Sequence, residues 1–449
     1  MTGVPLEAIR DSFEGIMPSV IATTDASGIP NLSYLSHVYY VDSHHVALSN
    51  QFFSKTAANV AANGRATVVV LDGRMGLQHV LDLVFVSSSR SGPIFDRISA
   101  QLDVMASLQG KSHMLKLRAV DIYRVERCRR IDPVAPIETA PENPVVARDW
   151  LAEAAAATAE LSAIADPETL LDRSLETLEE RCGFRHSMIL VADGEGRKLS
   201  TVASRGYPRY GFGAEIAFGD GIIGVAAERG LTLRIADMRR SQRYVSAVAL
   251  AAGLNRDDIP MPAIEQVQCQ IAVPLIASGR LSGVVFAESE ESFAFSHAHE
   301  AALEIIARQI AAGLAIFELA DAASDAAGRG VAPVSSADKG QAFSFQYFPR
   351  DGGVFIDNDY VIRGVPGRLL YHFVRSYVET GRAEFSNREI RRDRTFNLPD
   401  FKDNLETRLI LLRRRLEERG GPIGIERPER GQIRLVIDGT PQIAVMEDA

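Results

Sequence analysis

The chain is poor in the residues that build covalent or metal-held scaffolds. Its 449 residues include three cysteines, Cys128, Cys182 and Cys269, and no Cys-x-x-Cys pair. That spacing provides neither a zinc motif nor a disulfide framework and fits a reducing compartment, so a cytoplasmic protein is expected. Long apolar runs are missing too. No stretch approaches the roughly 18 uninterrupted apolar residues of a membrane span, so no membrane partner is expected. The opening "MTGVPLEAIRDSFEG" lacks the basic-then-apolar order of a secretion signal. Nothing repeats at a period of about 20–50 residues, which excludes a solenoid or array. Net positive charge is also absent. The total is -9, with a pI near 5.6, which argues against uniform coating of nucleic acid but leaves room for one local basic face.

What is present is ordinary globular material, 46% hydrophobic and 24% charged, at a length that predicts about three domains. Two segments read as linkers. "IDPVAPIETAPENPVV" carries four prolines, and "DAASDAAGRGVAPVSSADKGQ" is rich in Ala, Gly and Ser. They divide the chain into blocks at 1–131, 149–320 and 344–449, with linkers at 132–148 and 321–343. The first block alternates short strands with Asp/Gly/Ser turns and has few helices, the pattern of a small barrel. The second places strands between helices at both ends, an α+β order. The third has short strands, three helices and a terminal strand pair. The expected fold class is therefore multidomain α+β.

In the first block, a strand ends at Leu48–Ser49–Asn50 and Ser54–Lys55 opens a helix, "SKTAANVAAN". Free helix N–H groups beside a lysine can hold an anion; an N-capped helix with a surface lysine reads the same way. The order "ASGIPNLSYLSHVYYVD", "ALSN", "SKTAANVAAN" resembles the pyridoxamine 5'-phosphate oxidase-like flavin-binding split barrels over residues 8–130. The resemblance implies FMN or a related flavin, with its phosphate held by Ser49, Asn50, Ser54 and Lys55 at a homodimer interface. The block lacks the oxidases' C-terminal substrate segment, which speaks against vitamin B6 oxidation. Haem, which the family also holds, stays open as the alternative cofactor, with His37, His44, His45 and His79 in view.

In the second block, "FGDGIIGVAAERGLTLRIADMRRSQRY" and "CQIAVPLIASGRLSGVVFAES" resemble the GAF domain over 166–320. The implied fold is an α/β sandwich, and the implied small-molecule pocket involves Gly219, Gly221, Gly224, Asp237, Arg243 and Tyr244. A glycine-rich turn lets backbone approach a ligand. A GAF domain that binds nothing is the other reading. The long Ala-rich helices at each end either cover their own sheet or pair across a dimer.

In the third block, "VPGRLLYHFVRSYVETG", "FSNREIRRD", "LETRLILLRRRLEERGG" and "IGIERPERGQIRLVI" resemble the winged helix-turn-helix of OmpR-type regulators. Between Arg363 and Arg434 stand 17 Lys/Arg against 11 Asp/Glu, the local charge that phosphate contacts require. Leu405, Leu409, Leu412 and Leu416 form a core stripe on the third helix. The resemblance implies double-stranded DNA as partner, with Arg408 and Arg415, seven apart on one face, entering the major groove and Arg427, Arg430 and Arg434 on the wing. A solvated helix is the bland reading. The functional expectation is a one-component transcriptional regulator that senses a flavin, redox state or small ligand. The rivals are a flavin-dependent oxidoreductase with regulatory appendages and an interaction hub.

Overall fold

The structure is a computed structural model that describes residues 3–13, 19–35, 37–50, 55–72, 76–108, 117–131, 148–193, 197–238, 259–324, 341–392, 405–428 and 431–446.

The first domain starts with a 3-10 helix, Leu6–Ser12, and then forms β1 (Ser19–Thr24), β2 (Pro30–Leu35), β3 (Val38–Asp42), β4 (His45–Asn50), β5 (Arg65–Leu71), β6 (Gln78–Ser89) and β7 (Ala119–Ile131), with α1 (Lys55–Asn63) and α2 (Pro93–Leu108) between them. The strands form one antiparallel sheet in the order β2-β1-β5-β6-β7-β4-β3. Alternation drives the burial: in β5, Ala66, Val68 and Val70 point inward while their neighbours are half-exposed. Leu35 of one edge strand and Val38 of the other share a single core cluster with Val46, Val68 and Leu81, so the sheet is curled around its own interior.

The second domain has α3 (Trp150–Ser162), α4 (Pro167–Cys182), β8 (His186–Asp193), β9 (Lys198–Arg205), β10 (Glu215–Ala217), α5 (Gly221–Arg229), β11 (Leu233–Ile235), β12 (Cys269–Ala277), β13 (Arg280–Ser289) and α6 (His297–Ser324). Asp149 caps α3 by accepting the N–H groups of Leu151 and Ala152, and Asp166 caps α4 through Thr169, one residue before Pro167 opens the helix. The antiparallel sheet runs β10-β9-β8-β13-β12-β11. Helices α3, α4 and α6 cover one face. The other face carries α5 together with Ala100 and Val104 of α2, so a helix of the first domain completes the second domain's core.

The third domain contains β14 (Ala342–Phe348), β15 (Gly353–Ile356), β16 (Asp359–Ile362), α7 (Gly364–Thr380), β17 (Glu384–Ser386), α8 (Asn387–Arg392), α9 (Leu405–Arg419), β18 (Ile423–Glu426), β19 (Gln432–Ile437) and β20 (Thr440–Val445). One sheet is β16-β15-β14-β20 and the other β17-β19-β18. Gly381 ends α7 in the left-handed conformation. Ser386 and Glu389 form a reciprocal capping box at α8. The last strand, β20, was not anticipated from the sequence. It pairs parallel with β14 and ties the end of the domain to its beginning. The buried cluster of this domain is continuous with the helix-covered face of the second domain.

Candidate functional site

The anion site expected in the first domain is only partly assembled. Lys55 is exposed at the start of α1, where helix N–H groups and an ammonium favour an anion. Ser54 lies outside the described residues. Ser49, expected to hold phosphate, is 1% exposed, and its hydroxyl is used inside the sheet: it accepts the His37 N–H at 3.1 Å and donates to the His37 carbonyl at 3.3 Å. The reason is that β4 is covered on both faces, with Val46, Ala47, Leu48 and Ser49 all buried. Asn50 donates to Asp121 Oδ2 at 3.0 Å, and Ser88 donates to the other oxygen at 2.6 Å. A carboxylate at that position repels a phosphate. Of the four expected residues, Lys55 alone fits an FMN phosphate among those described.

The histidines do not form one site. His37 and His79 are buried, and burial pushes the His79 pKa down, opposed in part by Asp72. His44 and His45 lie at the β3–β4 turn, where His45 Nδ1 is 2.9 Å from Asp42. Among the described residues no group of three or more His, Cys, Asp or Glu is placed to hold a metal, and no helix is long and apolar enough to cross a membrane.

In the second domain the glycine turn packs α5 against the sheet. Gly219 and Gly221 take φ of +87° and +55°, where a side chain is strained. Gly224 approaches protein backbone: a Cβ there would lie 2.2 Å from the Ala217 carbonyl oxygen. The three glycines thus let α5 settle against β10. Asp237 accepts from Ser292 at 3.3 Å and joins two loops. Arg243 and Tyr244 lie outside the described residues. The polar feature that sequence reasoning missed is Glu288, 3% exposed at the end of β13. It accepts from the Ile264 N–H at 3.1 Å and the Gln270 amide at 3.2 Å.

The third domain shows the largest departure. The leucine stripe is buried as expected, but Ile410 and Leu411 are buried too, and so are Arg408 and Arg414, at 3% and 6% exposure. The second domain covers this helix. Arg414 donates to the Val202 carbonyl at 2.9 Å and to Asp172 at 2.8 Å, and its guanidinium lies 5.6 Å over the Phe212 ring. Arg413 pairs with Glu168. Arg408 donates to the Ala192 carbonyl at 2.9 Å, with Asp193 at 3.8 Å. Arg408 and Arg415, expected to act together, separate: Arg415 turns back into its own domain, donating to the Val361 carbonyl at 2.9 Å and pairing with Glu418 at 3.1 Å. On the hairpin, Arg427 pairs with buried Glu406, which also accepts from Asn387. Arg434 forms a cross-strand pair with Glu384 at 3.0 Å and lies 3.6 Å from Glu426. Arg430 lies outside the described residues.

Residues 6–125 match the pyridoxamine 5'-phosphate oxidase family and residues 164–315 the GAF domain. The chain carries a pyridoxamine 5'-phosphate oxidase-like N-terminal domain followed by a GAF domain. Neither match extends into the C-terminal domain. No curated protein matches the chain. Among solved structures, an FMN-binding protein from Syntrophomonas wolfei subsp. wolfei is similar at 16% identity over 26% of this chain and 78% of its own, with a TM-score of 0.23. The GAF domain of an Acinetobacter phosphoenolpyruvate-protein phosphotransferase is similar at 16% identity over 40% of this chain and 96% of its own, with a TM-score of 0.31. Free methionine-R-sulfoxide reductase from Neisseria meningitidis is similar at 19% identity over 38% and 91%, with a TM-score of 0.31.

Proposed function

We propose that the chain is a cytoplasmic one-component regulator. Its N-terminal domain and its GAF domain take a small molecule, with FMN or a related flavin as the first candidate and haem as the second. Its C-terminal domain acts as a winged helix on double-stranded DNA, and the working unit is a homodimer. The observation that carries the reading is the combination in one chain of a pyridoxamine 5'-phosphate oxidase-like domain and a GAF domain with a basic helix–strand–helix–helix–hairpin block. The order of that block agrees with a winged helix, in which the longest helix reads the groove and the hairpin flanks it.

The test is the absorption spectrum of the purified full chain, followed by an assay with NADPH. Flavin bands that are released on denaturation, without steady NADPH consumption, are the expected result. Sustained consumption would replace the sensor with an oxidoreductase. A colourless protein that also fails to take up added FMN would remove flavin from the reading. Lys55→Ala is expected to weaken uptake of FMN more than that of riboflavin, since only FMN has a phosphate for Lys55 to meet.

A further inference from the structure

Of the arginines expected to meet DNA, Arg408 on α9 is bound to oxygen of the GAF domain, and its helix neighbours Arg413 and Arg414 are bound there too. Resting on the DNA-binding reading above, we propose that the GAF domain acts as an internal substitute for DNA phosphate and holds α9 in a closed, non-binding state.

Each element of this contact has an assigned partner. The N-terminal part of α4 supplies Glu168 to Arg413 and Arg414, and Asp172 to Arg414 at 2.8 Å. The end of β8 supplies the Ala192 carbonyl and Asp193 to Arg408. Strand β9 supplies the Val202 carbonyl to Arg414. The turn after β9 adds a contact in the other direction, with the Gly211 N–H donating to Glu418 at 2.8 Å. Arg363, at the entry to α7, donates to Glu215 of β10 at 2.8 Å. Carboxylates and carbonyls together offer a guanidinium what a phosphate backbone offers it, oxygen acceptors with negative charge close by. GAF domain and DNA therefore compete for the same groups, and α9 cannot serve both.

The composition of the contact suits reversal. The apolar cluster of the third domain runs on into the second, but Arg413 and Arg414 are held there by the carboxylates of Glu168 and Asp172, and trading carboxylate for phosphate exchanges like for like. A route from the GAF interior is also visible. Strand β10 is three residues long. Its Glu215 grips Arg363, while its Ala217 is the residue against which Gly224 of α5 is seated. A shift of α5 on ligand binding would act on β10 and so on the grip.

The experiment uses the full chain and the near-isosteric pair Glu168→Gln with Asp172→Asn. Two quantities are read: hydrogen exchange of the α9 amides, and binding to mixed-sequence duplex DNA by fluorescence anisotropy at low salt. Opening a state that is closed in all but a small fraction of molecules is expected to tighten apparent DNA affinity roughly 10- to 100-fold, with faster exchange in α9. Adding Arg414→Glu is expected to cancel the gain while α9 stays open. Unchanged exchange in α9 would overturn the proposal. Faster exchange with DNA binding equal to that of the unaltered chain would overturn the masking but leave the DNA reading. Faster exchange with no DNA binding by any form would overturn the DNA reading itself, and the proposal with it. Asp193→Asn, at the opposite end of the contact, provides an independent variant with the same expected direction should the double variant fail to fold.

Discussion

At the scale of single residues, Glu288 shows how a buried group reports on its surroundings. Burial pushes its pKa above the ordinary 4.5, and the hydrogen bonds from Gln270 and the Ile264 N–H offset only part of that. A carboxyl group raised in the folded state keeps a proton that the unfolded chain has already lost. Stability is therefore highest below the ordinary value and falls as pH rises through the raised one. Glu288→Gln is expected to raise the melting temperature by a few degrees at neutral pH and to leave it nearly unchanged near pH 4, because the Gln270 amide can turn to accept from the new side chain. Thermal melting from pH 4 to 8 checks this, and a lower melting temperature across the whole range would contradict it. Sequence alone did not expose Glu288. It reads there as the polar end of a strand, and nothing local says that residues near Ile264 close over it.

At the scale of elements, local signals carried most of the information. The leucine stripe of α9 appears where spacing placed it, and the capping box at Ser386 and the left-handed Gly381 rest on equally short-range chemistry, because caps and periodicity act within a few residues. The glycines of the GAF turn were legible as glycines, but their purpose was not. Gly224 is required by backbone contact with Ala217, and Gly283 in the same way by contact with Leu190, whose carbonyl oxygen would lie 2.0 Å from an added Cβ. Gly224→Ala is expected to cost about 1–3 kcal/mol through overpacking, read as a lower denaturant midpoint at constant m-value. A neutral effect would mean that α5 can move off β10 without loss, which would also weaken the route described from α5 to the α9 contact.

At the scale of the whole molecule, the GAF domain is held from both sides by charge. Toward the C-terminal domain it grips α9. Toward the N-terminal domain, Asp11 lies 2.5 Å from His297 Nδ1 and accepts its backbone N–H at 3.0 Å, while Glu300 joins Arg97 of α2 to Arg234 of β11. Burial pushes the Asp11 carboxyl up, but the bonds and charge of His297, aided by Arg234, outweigh this and hold it at about 2 against an ordinary 3.8. A depressed carboxyl contributes stability that is complete above its unfolded value and lost as pH falls through the folded one. The acid limb of the unfolding curve is therefore expected to gain a component between pH 3.8 and about 2 that Asp11→Asn removes, measured as melting temperature against pH. An unchanged acid limb in that variant would detach Asp11 from the stability of this joint.

The sequence by itself determined which faces of its helices and strands are apolar and where short-range caps and turns fall. Those properties follow from contacts within a few residues and from periodicity along the chain. Only the tertiary structure decided where the arginines of the third helix go. Arg414 and Asp172 are 242 positions apart in sequence yet 2.8 Å apart in space. Charge attraction depends on distance and on the water excluded between the charges, and neither can be read from spacing. The triple arginine is visible in the sequence as a cation in search of an anion; the fold made that anion a surface of the same chain.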